Sequence, residues 1–600
     1  MNKLAPLLLQ ITFYCLLLVI GVSTVCAQVP AIFFTDITSG PSTGGENAAG
    51  AYVTVYGNFF GTTAGSVKIG SVNATTIKQW GTPSLWYQKV TFQIPSSVGL
   101  GATTLQITTP AGTSNTVPFT VRKGNIYCVS TTGSDSNSGR FPSCWRTVLQ
   151  AKSSMVAGDI SYLENGVTQT AVDNYNASLS ITTGGTAAAP VALVAYPGAT
   201  ATIGTDSMTF AARTPAVSGT MDYWVLAGLT MRGQAALDLL GNTGWRVIDN
   251  DMSCPQGSGQ SACLHADTNV NLYVYGNHVH NVGDQAGSID KYFHAVYFTT
   301  NTNHVWVGWN EVAPNPTHST TSGGCRAIQF YSTGGSDQFD LHVYNNLVHD
   351  AICDGINFAT VDPSKGTVEA YNNVVYHVGT GPDPANGSSN YSCVLAGSSG
   401  NPSVSVQIYN NTFYDCGSRK TTDAGAIAPD TPVQTRNNIV YELSGESYIN
   451  PSSGNSGLTG SDNIWYGSSG TPSATTGNIT SNPLLKDVAN ADFGLMTGSP
   501  AIGHGVNTGL TDDFEGMPRN PSAMDIGARA VGGSTLVTKS ACDLNQDGVV
   551  NATDIALEAA QDLGLTPCTN GDINKDGLCT VVDLQRVINA SFGQACKVTP

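Results

Sequence analysis

An asparagine closes one short apolar stretch after another through the middle of the chain. The stretches are Tyr275-Gly276-Asn277, Gly308-Trp309-Asn310, Tyr344-Asn345-Asn346, Tyr371-Asn372-Asn373, Tyr409-Asn410-Asn411 and Arg436-Asn437-Asn438, spaced 27 to 38 residues apart. A second phase holds His294-Ala295-Val296-Tyr297-Phe298, Arg326-Ala327-Ile328-Gln329-Phe330 and Asp354-Gly355-Ile356-Asn357-Phe358. Repeats of this kind are built by stacking identical coils. Each coil needs short strands and tight bends. Asn tolerates the left-handed backbone of such bends, and its amide can bond from coil to coil. Stacking predicts one interior column of Val296, Ile328 and Ile356, and another of Phe298, Phe330 and Phe358. A propeller also repeats, but its four-stranded blades need longer, more regular periods. Variable spacing fits loops of unequal length between strands of constant geometry.

The flanks of this repeat carry further motifs. It opens with Tyr127-Cys128-Val129-Ser130-Thr131-Thr132-Gly133-Ser134-Asp135, Ser138-Gly139 and Trp145-Arg146-Thr147. It closes with Asp492-Phe493-Gly494-Leu495, Gly498-Ser499-Pro500-Ala501-Ile502 and Asp525-Ile526-Gly527-Ala528. With these ends, residues 124–530 resemble right-handed parallel β-helix proteins of the pectate-lyase-like class. The resemblance implies a mainly β fold and a polysaccharide lying along the sheet that follows the variable loop. It specifies fold better than chemistry.

Two smaller modules flank the repeat. Residues 29–122 alternate apolar and polar positions, as in Tyr52-Val53-Thr54-Val55-Tyr56 and Thr104-Leu105-Gln106-Ile107, which predicts an antiparallel sandwich. Gly40-Pro41-Ser42-Thr43-Gly44-Gly45, Val53-Thr54-Val55-Tyr56-Gly57 and Phe60-Gly61 make this module resemble immunoglobulin-like IPT/TIG domains. After a linker at 531–540, residues 541–596 hold a duplicated acidic loop. Oxygen ligands fall at positions 1, 3, 5, 9 and 12, with Gly at the sharp turn and a backbone carbonyl at position 7. The first set is Asp543, Asn545, Asp547, Val549, Asn551 and Asp554; the second is Asp572, Asn574, Asp576, Leu578, Thr580 and Asp583. This is EF-hand-like spacing and predicts two bound Ca2+ ions and a small helical module. Asp at position 12, together with the duplication, resembles type I dockerins. Such modules bind cohesins, often through a small hydroxylic pair at positions 10 and 11. Here those positions are Ala552-Thr553 and Val581-Val582. A cohesin-like protein is one candidate partner and another surface-anchoring protein is the other.

Composition narrows the setting. Charged residues are only 11% and the net charge is −17, which speaks against a nucleic-acid partner. Lys3, the apolar run Ile11–Val22 and Val25-Cys26-Ala27 read as a secretory signal over 1–27. No second apolar run of membrane length follows, so the mature chain is expected to be secreted, of bacterial type, without a membrane span. Twelve of the 14 cysteines follow residue 27, an even number suited to disulfides. Near neighbours are Cys128 with Cys144, Cys254 with Cys263 and Cys393 with Cys416, although connectivity is not fixed by sequence. A Cys325–Cys353 bridge would stiffen the strand edge.

Period-two alternation turns Tyr297 outward once Val296 and Phe298 are inside. Its outward neighbours are His265, Gln329, Asn357 and Leu395, with Asp238 one coil earlier. His265, Tyr297, Gln329 and Asn357 are candidates to bind sugar. His294, Arg326 and Asp354 stand at the strand edge, either buried or rimming the groove. A uronate lyase needs a base and positive charge beside the carboxylate. Lys291 or His294 is the candidate base, and Arg326 or a third calcium at the groove would neutralise the substrate. Asp354 completes this candidate catalytic set. A glycoside hydrolase would draw instead on Asp238, Asp267, Asp350 and Asp354 as paired carboxylates. His280 and His349 recur after the Asn bend, as stacked structural histidines or as part of a metal cluster. The expected activity is β-elimination on an acidic polysaccharide. Hydrolysis and non-catalytic glycan binding are the alternatives.

Overall fold

The structure, a computed structural model, describes residues 28–215, 221–333, 337–398, 404–468, 470–531, 541–542, 544, 550, 552–591 and 596–598. The expected signal at 1–27, nearly all of the expected linker, and Asp543, Asn545, Asp547, Val549 and Asn551 lie outside these residues.

The central repeat is a right-handed parallel β-helix. Each coil contributes one strand to each of three long sheets. Among the described residues, sheet I has 13 strands, sheet II has 11 and sheet III has 9. One full coil shows the order: Val270–Tyr275 in sheet I, His278–Val282 in sheet II, then Ile289–Thr299 in sheet III. Successive strands pair in parallel with no change of interior residues. In sheet I, Leu272, Val305, Leu341 and Val368 are consecutive register partners, and all are buried. In sheet III, Val296, Ile328 and Ile356 pair in one column, and Phe298, Phe330 and Phe358 in the next, as expected. The three phenyl rings stack at centroid distances of 4.7 and 5.4 Å.

The turn between sheets I and II holds the recurring asparagines. Asn250, Asn277, Asn310, Asn346, Asn373, Asn411, Asn438 and Asn463 form one unbroken buried ladder. At Asn346, Nδ2 donates to Asn373 Oδ1 at 3.0 Å and to the Val307 carbonyl at 2.9 Å. Its Oδ1 accepts from both the amide N and the Nδ2 of Asn310. The left-handed residue of each bend is the one before the ladder Asn. Asp249, Gly276, Trp309, Asn345, Asn372, Asn410, Asn437 and Asp462 all have φ between +50° and +68°. The sequence reading had assigned both roles to one residue; the structure divides them between neighbours.

Helix Val148–Ser154, capped by the Thr147 hydroxyl, sets Val148 and Ala151 into the same core as Val129, in the first strand of sheet I. The sandwich before it joins strands 31–35, 52–58, 77–83 and 88–93 in one sheet. The other sheet is built on 66–69, 101–109 and 117–121. It docks on the outer face of sheet I. Tyr56 donates to Asp249 at 2.8 Å, Arg246 to the Thr35 carbonyl at 2.6 Å, and Phe33 stacks on Trp309. The segment after the helix returns along the Asn turn, where Arg519 donates to Asn372 and Asn410 to the Asp525 carbonyl. Trp86 of the sandwich stacks on Phe514 of that segment at 4.8 Å. Sheets I and III thus differ: among the described residues one is covered by another module and the other is bordered by loops.

Six disulfides are formed. Cys128–Cys144, Cys254–Cys263, Cys325–Cys353 and Cys393–Cys416 lie in the helix; Cys254–Cys263 and Cys393–Cys416 join a sheet II strand to a sheet III strand, and Cys325–Cys353 ties a sheet III strand to the loop that follows sheet II. Cys542–Cys596 and Cys568–Cys579 staple the C-terminal module around helices Ala552–Asp562 and Val581–Ser591.

The ladder makes a specific prediction. Asn346→Ala leaves the buried Asn310 amide groups without their acceptor, and each buried orphan costs ~1–3 kcal/mol. Urea denaturation should show a loss of about 2–4 kcal/mol. Val404→Ala, at an exposed loop position, should stay within about 0.5 kcal/mol of the parent.

Candidate functional site

Sheet III turns a column of side chains away from the core; His265 and Tyr297 are partly exposed, while Asp238, Gln329, Asn357 and Leu395 are buried beneath their neighbours. Register pairs run Arg213–Asp238, Asp238–His265, His265–Tyr297, Tyr297–Gln329, Gln329–Asn357 and Asn357–Leu395. Alternation sends Leu264, Ala266, Val296 and Phe298 to the core, so these residues have no inward option. Each rung rises about 4.8 Å. The loops between sheets II and III stand beside this strip as its wall.

At the lower end, Asp238 lies between two cationic or potentially cationic groups. Arg213 Nε is 2.7 Å from Asp238 Oδ2, and His265 Nδ1 is 2.7 Å from Asp238 Oδ1. The carboxylate therefore fixes the imidazole with Nδ1 engaged, which leaves Nε2 for a proton taken from a ligand. The His265 ring lies 5.5 Å from Tyr297, centroid to centroid. Burial pushes the Tyr297 phenol above its ordinary range, so it stays protonated and can donate.

His294 sits under this surface, 3% exposed and edge-on to Tyr297 at 5.1 Å. Burial, followed by the charges of Arg326 and His265, holds its pKa well below that of free imidazole. It is neutral, and its Nδ1 has no hydrogen-bond partner within the chain. Arg326 and Asp354 are joined at 2.9 Å, the carboxylate fully buried. Arg326 also donates to Ser389 Oγ at 2.7 Å and to the Lys291 carbonyl at 3.3 Å. Asp354 accepts from Asn357 Nδ2 at 2.7 Å and from the Ser392 amide at 3.1 Å. Burial raises the Asp354 carboxyl and Arg326 opposes that rise. Arg326 makes three hydrogen bonds within the chain and Asp354 accepts three. The pair's evident work is to brace the wall of the strip, beside the Cys325–Cys353 bridge.

Lys291 is half-buried, its amide held by Asn386 Oδ1 at 2.9 Å and its ammonium 6.0 Å from the Tyr292 ring. It belongs to the rim, joined to Arg326 through its backbone. Gln329 Oε1 and Asn357 Oδ1 are buried and have no hydrogen-bond partner among the described residues. Buried amide oxygens are normally bonded, so two orphans in one column are unusual, and an external hydroxyl would reach them only when the residues over them move aside. Arg213 escaped the sequence reading because it lies two coils from His265 and carries no repeat motif. The alternation of Phe210–Thr214 and its register with Asp238 would have found it. Of the carboxylates weighed for hydrolysis, Asp267 shares the outward face two residues after His265. Asp350 lies away from it, at the end of a sheet II strand.

The second acidic loop of the C-terminal module is wholly described. Asp572 accepts from the amides of Asp576 and Gly577, and Asp576 from that of Leu578. Asp583 accepts from the amides of Asn574 and Thr580 at 2.9 and 3.0 Å. Lys575 and Gly577 take φ of +58° and +92°, which curls the loop around its own oxygens. In the first loop Asp554 accepts from the Leu544 amide at 2.8 Å, one loop position earlier than the amide that bonds Asp583. Carboxylate, amide and hydroxyl oxygens on such a curl suit a hard cation.

No family model and no curated protein sequence matches the chain. Among solved structures it is similar to pectate lyase Pel9A, at 14% identity and a TM-score of 0.48, covering 68% of this chain and 96% of that one. It is also similar to XylC in complex with xylose, at 9% identity and a TM-score of 0.39, covering 68% and 99%. A third is the family 28 exopolygalacturonase of Yersinia enterocolitica, at 10% identity and a TM-score of 0.35, covering 76% and 97%. Likeness at this level transfers neither substrate nor activity.

Exchanging the groups of the strip should separate chemistry from bracing. Asp354→Asn leaves the Arg326 charge buried without its counter-ion, and breaking a buried pair costs ~3–5 kcal/mol. Thermal unfolding should register that loss. His265→Ala, at the partly exposed surface, should leave the melting temperature close to the parent value.

Proposed function

We propose that the chain is a secreted carbohydrate-active protein whose sheet III strip binds an acidic polysaccharide and cleaves it by β-elimination. The observation that carries this reading is the Asp238–His265 pair at 2.7 Å, set in line with Tyr297 and the two orphaned amide oxygens. Sugar hydroxyls would meet Gln329 and Asn357, and the Tyr297 ring would lie against a pyranose face. His265 Nε2 would take the proton beside the uronate carboxylate, the bond from the β-carbon to the glycosidic oxygen would break as the carbon–carbon double bond forms, and the leaving oxygen would take a proton from solvent, with Asp238 stabilising the imidazolium. Arg213, with Lys291 at the rim, supplies positive charge for the carboxylate; a bound calcium is the other means of neutralising it. This moves the base from Lys291 or His294 to His265. His294 is buried and neutral, and Arg326 is committed to Asp354.

Asp267 on the same outward face favours hydrolysis as the second reading, since it would supply a carboxylate near Asp238. The remaining modules are consistent with life outside the cell. Six disulfides suit an oxidising compartment. No helix among the described residues is long and apolar enough to cross a membrane. The sandwich is read as an IPT/TIG-like spacer. The C-terminal module is read as a dockerin-like Ca2+ binder, with Asp543, Asn545, Asp547, Val549, Asn551 and Asp554 serving one ion and Asp572, Asn574, Asp576, Leu578, Thr580 and Asp583 the other. A cohesin-like or other anchoring protein is its partner.

Two experiments test these readings. Uronate polymers incubated with the protein should yield unsaturated product, seen as ultraviolet absorbance. His265→Ala should lower turnover by roughly 100- to 10,000-fold, the range for losing a general base. Reducing sugar without that absorbance would establish hydrolysis, and glycan binding without product would leave a binding protein. Calorimetry with CaCl2 should give two equivalents in the C-terminal module and one after Asp572→Ala. Equal stoichiometry in both would contradict the loop assignment.

A further inference from the structure

Outside the strip, three residues from three different coils converge at the end of sheet II. His318 lies in the loop after strand Glu311–Ala313, Asp350 in strand Leu347–Ala351 and His377 in strand Val374–Val378. His318 Nε2 is 3.4 Å from Asp350 Oδ1, and His377 Nε2 is 3.9 Å from the same oxygen. One nitrogen from each ring and one carboxylate oxygen all lie within 4.8 Å of one another. Ligands at zinc bond lengths on a tetrahedron stand about 3.3 Å apart, so a small contraction closes this triangle on one ion.

The surroundings orient these atoms. His377 Nδ1 is 2.8 Å from Asp415 Oδ2, which fixes the tautomer and turns Nε2 toward the triangle. Asp350 Oδ2 is 2.8 Å from His349 Nδ1, leaving Oδ1 as the inward oxygen. Carboxylate–histidine contacts of this kind support metal ligands. The His318 loop is held by Asn315, a buried side chain whose amide group bridges to both the Ser319 amide and its carbonyl. All three residues have φ between +51° and +54°, an uncommon backbone for side chains of this size. A hollow of 160 Å³ opens over the triangle, bordered by Ser319, Thr320 and Thr380.

A nearby group shows the contrast. His278 Nδ1 and His280 Nε2 both approach the same oxygen of Asp251, at 3.1 and 3.0 Å, and their rings stack at 4.2 Å. There the carboxylate already satisfies both imidazoles. In the His318 group the facing nitrogens stand farther from the carboxylate oxygen, at 3.4 and 3.9 Å, and neither contact is a hydrogen bond of the length seen at Asp251. We infer that His318, Asp350 and His377 form a binding site for a zinc-class divalent transition-metal ion, with a further coordination position open to the hollow. Two imidazoles and one carboxylate favour such an ion over the calcium expected in the all-oxygen loops. The site stands apart from the polysaccharide strip and does not depend on the reaction proposed there.

The test uses the full chain with its disulfides intact, in excess CaCl2 so that the oxygen-liganded loops are filled. Titration with ZnCl2 should show one tight equivalent, and CoCl2 should give visible bands of a low-coordinate nitrogen–oxygen site. His318→Ala removes a ligand whose side chain is 59% exposed, so folding is preserved and affinity should fall at least as far as for loss of a supporting group. Asp415→Asn, which acts through His377, should weaken binding about 10- to 100-fold. His278→Ala should leave the tight equivalent intact. Absence of a tight equivalent in the parent, parental affinity in His318→Ala, or its loss in His278→Ala would each overturn the assignment.

Discussion

The amide-to-amide bonding of eight buried asparagines fixes how each coil sits on the one before. Each Asn Oδ1 takes the preceding ladder residue's amide N and Nδ2, while its own Nδ2 reaches on to the next Oδ1 and back to a main-chain carbonyl. A shift of one residue would break this ladder and drive the Val296 and Phe298 columns out of the core. Register in sheet I is thereby locked to the turn. Sheets II and III inherit it, because the same coil feeds all three. Loop length is left free, which is why intervals of 27 and 38 residues coexist in one ladder.

That freedom is where chemistry is placed. The loops between sheets II and III vary in length and are stapled by disulfides at Cys254–Cys263, Cys325–Cys353 and Cys393–Cys416. They wall the strip of sheet III on one side and carry His318 to the end of sheet II on the other. The buried Arg326–Asp354 pair joins wall to strand. A saturated ion pair of this kind adds little net stability over an apolar contact, but removing one member is costly. The pair stands in register with His294 and beside the Cys325–Cys353 bridge, at the edge of the strip.

Much of this architecture was legible in the residues. Alternation around Val296 and Phe298 identified the outward column of His265, Tyr297, Gln329 and Asn357, because a period of two leaves only one choice of face. Nearness in sequence suggested Cys128–Cys144, Cys254–Cys263 and Cys393–Cys416, and stacked strand edges suggested Cys325–Cys353; all four are formed. Other features were hidden for physical reasons. The sequence does not say which of two adjacent residues bends and which bonds, as at Asn345 and Asn346. Nor does it say that Arg326 finds Asp354 rather than solvent, since that depends on how far the loop carrying Ser389 folds over. The His318, Asp350 and His377 group spans three coils and one irregular loop, so no spacing announces it. Its only sequence trace was the recurrence of histidine near the Asn bend.

The central claim is that the stacked register turns Asp238, His265, Tyr297, Gln329 and Asn357 into one continuous glycan surface. A crystal structure with a bound uronate oligosaccharide measures this most directly. The account predicts successive sugar rings along sheet III, with hydroxyls on Gln329 and Asn357 and a ring against Tyr297. An oligosaccharide seated on another face, with that column untouched, would contradict it.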